Sequence, residues 1–91
     1  MVSHLAKVLP LAILILISAD NVYEIPSQLI ALQILMNIAM LWSYLNSEAE
    51  FFCLSYKNTV LAHLTQTLDH PSFQIRQMAA IVRNNWFVIN N

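Results

Sequence analysis

The sequence predicts an all-α fold, an α-solenoid fragment of two helical hairpins, and three observations carry that prediction. First, Ile75, Met78, Ala79, Val82 and Trp86 fall at i, i+3, i+4, i+7 and i+11, one stripe of a 3.6-residue period. Second, a turn at Asp69-His70-Pro71-Ser72 separates this stripe from another apolar face, Val60, Leu61, Leu64 and Leu68. Two helices joined by so few residues must lie antiparallel. Third, 58% of the chain is apolar, only 10% is charged and glycine is absent, whereas about a quarter of a usual domain is charged. Such hairpins keep an apolar side after pairing, and stacked neighbours bury it.

The bulk numbers restrict function as well as fold. Ninety-one residues make one small domain or a piece of a larger one. A chain of this size buries only roughly 60–65% of its extended surface, so the apolar excess must face other repeats, a partner protein or a bilayer. Four Lys/Arg and a net charge of −1 leave no phosphate-binding footprint, so no direct nucleic-acid partner is expected. A single cysteine, Cys53, excludes an internal disulfide and fits a reducing compartment. Without glycine, nucleotide-cradling loops and positive-φ turns are not expected.

Residues 1–45 read as a first, irregular hairpin. Ser3 is the candidate N-cap of a helix over His4–Ser18, apolar almost all round and containing Pro10. The same stretch fits a secretory signal, with Lys7 as the basic region, Pro10–Ile17 as the apolar core and Ser18-Ala19 as the cleavage site. Asp20–Ile25 is a polar turn, and Pro26-Ser27 opens the next helix. No formal charge occurs from Ile25 to Ser47, so a membrane span over Ile25–Leu45 is a competing reading. Gln28, Gln33, Asn37 and Ser43 oppose it, because amides in hydrocarbon need partners. Gln33 and Asn37, four apart, form a narrow polar edge suited to a helix held between neighbours.

Residues 46–54 read as a connection. Ser47-x-x-Glu50 has capping-box spacing for a short helical turn, and Phe51, Phe52 and Leu54 should tuck under the next helix. Residues 55–91 form the second unit: a helix over Ser55–Leu68, the turn, the striped helix loosened at Asn84-Asn85, and a tail from Trp86 to Asn91. Matching Pro26-Ser27 to Pro71-Ser72 gives a period of about 45 residues, and matching Ala31-Leu32-Gln33 to Ala79-Ala80 about 48, both near the HEAT and armadillo range of ~40–47. The two alignments differ by three residues and leave the register open.

The second unit, Leu-x-x-x-Leu-Asp-His-Pro-x-x-x-Ile-Arg-x-x-Ala-Ala, resembles a HEAT repeat. Its marks are the turn proline Pro71, Ile75-Arg76, and the small Ala79 and Ala80 where paired helices approach closely. In the family pattern an aspartate six residues before the arginine builds a ladder along the inner helices. Here that position is His70, with Asp69 one residue away. More specifically, Ala31-Leu32-Gln33, Tyr56-Lys57, Leu68-Asp69, Ile75-Arg76, Ala79, Arg83 and Trp86-Phe87 resemble the extreme C-terminus of one HEAT-repeat family. That family is methyl-methanesulfonate-sensitivity protein nineteen, the large subunit of the cytosolic iron–sulfur protein assembly targeting complex. The similarity covers Leu54 to Phe87 best, Ile30–Ala39 less well and little before Asp20. Family members are roughly ten times longer, so the resemblance implies a C-terminal fragment or short form. It also implies a cytoplasmic and nuclear scaffold. Its partners would be the complex's small adaptor subunit, the WD-repeat propeller subunit beyond it, and apo iron–sulfur clients including DNA-repair and replication enzymes.

No catalytic, cofactor-binding or metal-binding residue is expected. Cys53, His63, His70 and His4 lack metal-ligand spacing, and a cluster usually needs four ligands, mostly thiolates. Cys53 and His63 would be the nucleophile–base pair, but nothing in sequence activates a thiol set among Phe51, Phe52 and Leu54. A buried structural cysteine is expected instead. Glu48 and Glu50, two apart, point away from each other on a helix. The chain therefore reads as a non-enzyme, with Arg76, Arg83, Trp86 and Phe87 as candidate protein-interface residues, since Arg and Trp are favoured anchors. The competing reading pairs Arg76 with a neighbouring acid and makes Trp86 and Phe87 a cap over the solenoid's end. Two functional alternatives stay open: a small secreted or membrane-embedded protein with an N-terminal signal segment, and a HEAT fragment of another complex.

Overall fold

The chain's architecture comes from a computed structural model that describes residues 2–17 and 25–89. All its regular structure there is helical: α1 (Val2–Ile17), α2 (Ile25–Met40), a 3-10 turn at Trp42–Tyr44, α3 (Ser47–Ser55), α4 (Lys57–Thr67) and α5 (Phe73–Val88). The Ser18-Ala19 cleavage site, the rest of the expected polar turn before Ile25, and the last two residues lie outside the described residues. α1 begins at Val2, ahead of the expected cap Ser3, and continues through Pro10, whose ring removes one ladder hydrogen bond.

Each helix turns one stripe inward. α1 buries Leu5, Leu9, Ala12, Ile13 and Leu16, and α2 buries Gln28, Ala31, Leu32, Leu35 and Ile38. In α5 the inward residues are Ile75, Ala79, Val82 and Trp86, the stripe read from sequence with Met78 half-buried at its edge. One cluster unites side chains from all five helices, and the two hairpins share it.

Local chemistry explains the boundaries, and three differ from expectation. The cap of α3 is Asn46, whose side chain accepts from the Ala49 N–H at 2.8 Å. Asn caps as well as Ser, and Asn46 has the extended backbone the position requires, so Ser47 falls inside the helix. What reads as a connection is thus a nine-residue helix that buries Ala49 and Cys53 and packs on α1 and α4. Asn84-Asn85 does not loosen α5, because Asn85 turns its amide onto the Ile81 carbonyl at 2.9 Å and leaves the backbone ladder to itself. Trp86 and Phe87, expected in a tail, therefore belong to the helix.

α1 packs on α2, α4 on α5, α2 on α5 and α4 on α1, closing a ring of four long helices. Two hairpins laid side by side give this pattern, which a two-repeat stack shares with a four-helix bundle. The Cα radius of gyration is 12.5 Å and the shortest extent 18 Å, the thickness of two helix layers whose axes lie about 8–10 Å apart. No described helix is long and apolar enough to cross a membrane. α2 stops at Met40 after 16 residues, about 24 Å of rise against a hydrocarbon core of about 30 Å.

Candidate protein interface

The turn between α4 and α5 is built from the residues the sequence singles out. His70 is buried, and its Nδ1 accepts the Ser72 N–H at 2.9 Å. That bond requires the imidazole tautomer with its proton on Nε2. Ser72 caps α5, its Oγ accepting from the Ile75 N–H at 3.5 Å. Arg76 Nη1 then reaches back from the first turn of α5, donating to the carbonyls of His70 at 2.8 Å and Pro71 at 2.9 Å. Carbonyls just past a helix end lack intrahelical partners and carry partial negative charge. The guanidinium thus meets these carbonyls directly, and among the described residues no acid pairs with it. Its carbon also lies 5.7 Å from the centroid of the Phe73 ring, within cation–π range.

Further along the seam, Arg83 Nε donates to Thr65 Oγ1 at 2.9 Å, and that hydroxyl donates to the Leu61 carbonyl at 2.8 Å. At the far end Lys57 Nζ donates to the Phe87 carbonyl at 3.1 Å and the Ile89 carbonyl at 2.8 Å. A cation on the last carbonyls of α5 offsets their partial negative charge. These three ties, at successive heights, set α4 and α5 antiparallel.

Of the four sequence-derived candidates, three share an edge. Arg76, Arg83 and Phe87 stand at i, i+7 and i+11 on the side of α5 that borders α4, with Phe87 54% exposed. Trp86 turns the other way. It is 1% exposed and its Nε1 donates to the Leu35 carbonyl at 2.8 Å, so within this chain it joins α5 to α2 and offers no surface. The tie from Lys57 has no local signal in sequence, because Lys57 lies thirty residues before Phe87 and only the folded hairpin brings them together.

The remaining chemistry-bearing residues are placed as follows. Cys53 is buried and free, and burial pushes its thiol up from the ordinary value near 9.0, the opposite of what a thiolate nucleophile needs. His63 Nδ1 and His70 Nε2 are buried and find no hydrogen-bond partner among the described residues. Among the described residues no three His, Cys, Asp or Glu side chains gather into a metal-holding group. Set against family models, curated proteins and solved structures, the chain matches none of them.

Proposed function

We propose that this chain is a non-catalytic protein-interaction scaffold of HEAT type that docks a partner along the α4–α5 seam. The observation that carries the reading is the line of Arg76, Arg83 and Phe87 on one edge of α5, braced from α4 by Thr65 and Lys57. Side chains held in place lose little freedom on binding, and Arg and aromatic groups are common anchors. Two hairpins packed side by side support the repeat reading. By its resemblance the scaffold is the C-terminal part of the adaptor that targets cytosolic iron–sulfur clusters to apo-proteins, in cytoplasm and nucleus. Its direct partner is the small adaptor subunit, with the WD-repeat propeller subunit beyond it, and clients include DNA-repair and replication enzymes. The segment itself holds no cluster.

Pull-down of the small adaptor subunit by the full chain, compared with Arg83→Glu/Phe87→Ala, tests the reading. Capture by the parent chain and its loss in a variant of unchanged helicity is the expected result. Equal yields from both remove the seam as the docking surface, and no capture by either removes the iron–sulfur assignment.

A further inference from the structure

We propose that the outward face of α2 and α5 pairs with the same face of a second copy of this chain. The two helices pack directly against each other, and both leave apolar side chains outside. Ile30 and Met40 on α2 are 60% and 66% exposed, and Phe73, Ile81 and Val88 on α5 are 68%, 49% and 62% exposed. Between them stand exposed amides, Gln33 and Asn37 on α2 and Gln77 and Asn84 on α5. A fully exposed side chain of this size carries about 200 Å², so these fractions amount to roughly 600 Å² of apolar surface, to which the amides add, against about 800 Å² from each partner of a stable interface.

The distribution of charge selects the occupant. α2 contains no Asp, Glu, Lys or Arg, Arg83 of α5 is turned to α4 by its bond to Thr65, and Arg76, held on the His70 and Pro71 carbonyls, reaches the face only at its rim, over the Phe73 ring. Charged side chains of the other described elements sit on α1 (Lys7), α3 (Glu48, Glu50), α4 (Lys57) and the turn (Asp69). Interface centres are depleted of charge and enriched in aromatic residues and Met. A twofold interface also sets each residue near its own symmetry mate, where a charge repels itself and an amide, donor and acceptor at once, does not. Gln33 Nε2 already donates to Asn37 Oδ1 at 2.9 Å, which holds that pair in one geometry. An anionic lipid surface would call for several cations beside the face, and among the described residues of α2 and α5 only Arg76, at the Phe73 rim, stands there. The inference does not rest on the iron–sulfur reading, because a chain that captures no adaptor can still dimerise.

Sedimentation equilibrium of the full chain in detergent-free buffer tests it, beside vesicles of phosphatidylcholine and phosphatidylserine. The expected result is a reversible monomer–dimer equilibrium that Ile30→Lys/Ile81→Lys shifts to monomer at unchanged helicity, while Leu11→Lys on α1 leaves it intact. Should the lysine pair disturb folding, Gln33→Glu/Gln77→Glu serves instead, weakening the dimer at low salt and recovering it at high salt. A monomer at all concentrations, an open-ended series of larger species, vesicle binding in place of pairing, or a dimer indifferent to both variants overturns the proposal.

Discussion

The two hairpins are built differently although they share one core. α4 and α5 are pinned by polar ties at three heights: Lys57 on the Phe87 and Ile89 carbonyls, Arg83 on Thr65, and Arg76 on the turn. Where α1 meets α2 the core is Leu5, Leu9, Ala12, Ile13 and Leu16 against Ala31, Leu32, Leu35 and Ile38. Hydrogen bonds fix register because they are directional, whereas apolar packing mostly supplies energy and tolerates exchange of shape. The second hairpin therefore carries its own geometry. The Trp86 indole on the Leu35 carbonyl then ties the first hairpin to the second.

Breaking that bridge should have the largest effect. Trp86→Ala removes a fully buried indole, a change that costs about 3–5 kcal/mol, and takes the second hydrogen bond from the Leu35 carbonyl, which keeps its bond within α2. Against a total stability of about 5–15 kcal/mol for a domain, the cooperative thermal transition seen by circular dichroism should be lost. Trp86→Phe should retain it at a lower midpoint. A normal transition in Trp86→Ala would show that the hairpins are oriented by something else.

Next comes a flaw in the first hairpin. Gln28 is fully buried, and among the described residues neither of its amide atoms finds a partner. Replacing an unsatisfied amide with an apolar group of similar size, Gln28→Leu, should stabilise the chain by about 1–3 kcal/mol. That corresponds to a rise of roughly 4–8 °C in thermal midpoint per kcal/mol for a domain this small. A lower midpoint would mean that the amide has a use in the folded chain.

Cys53 gives a pH test of the shared core. Its thiol is raised by burial, so the unfolded chain releases that proton first as pH climbs. The native state binds more protons there, and stability falls with rising pH once the unfolded thiol titrates, above about pH 8.5. For one group the slope cannot exceed about 1.4 kcal/mol per pH unit. It should disappear from urea melts of Cys53→Ala, and a slope that survives the substitution assigns it to another group. The smallest effect is expected from Lys57→Met, about 0.5–1 kcal/mol. Faster amide exchange should be confined to the last turn of α5, and exchange that spreads over both hairpins would deny the tie its local character.

Legibility followed the same division. The second hairpin could be read because its signals are local: Pro71-Ser72 marks the turn, and the α5 stripe names its own buried face. Trp86 lies on that stripe, yet its partner is fifty-one residues away, and no periodicity discloses which surface will cover it. Asn46 was passed over for Ser47 because both residue types cap helices and only backbone conformation decides between them. Lys57 shows the same limit. Gln28 follows the spacing of an inward stripe, but its amide argues for the outside, and packing overrules polarity there.

The bond from Trp86 to Leu35 also dictates an order of events on the ribosome. α1 and α2 leave the exit tunnel before α5, with Leu32, Leu35 and their neighbours uncovered until the helix that covers them is made. Until α5 emerges the nascent chain exposes the surface that later becomes its interior, and such intermediates aggregate. A chaperone holding α1 and α2 should therefore raise the yield of folded chain, and synthesis stalled before Trp86 should leave it bound.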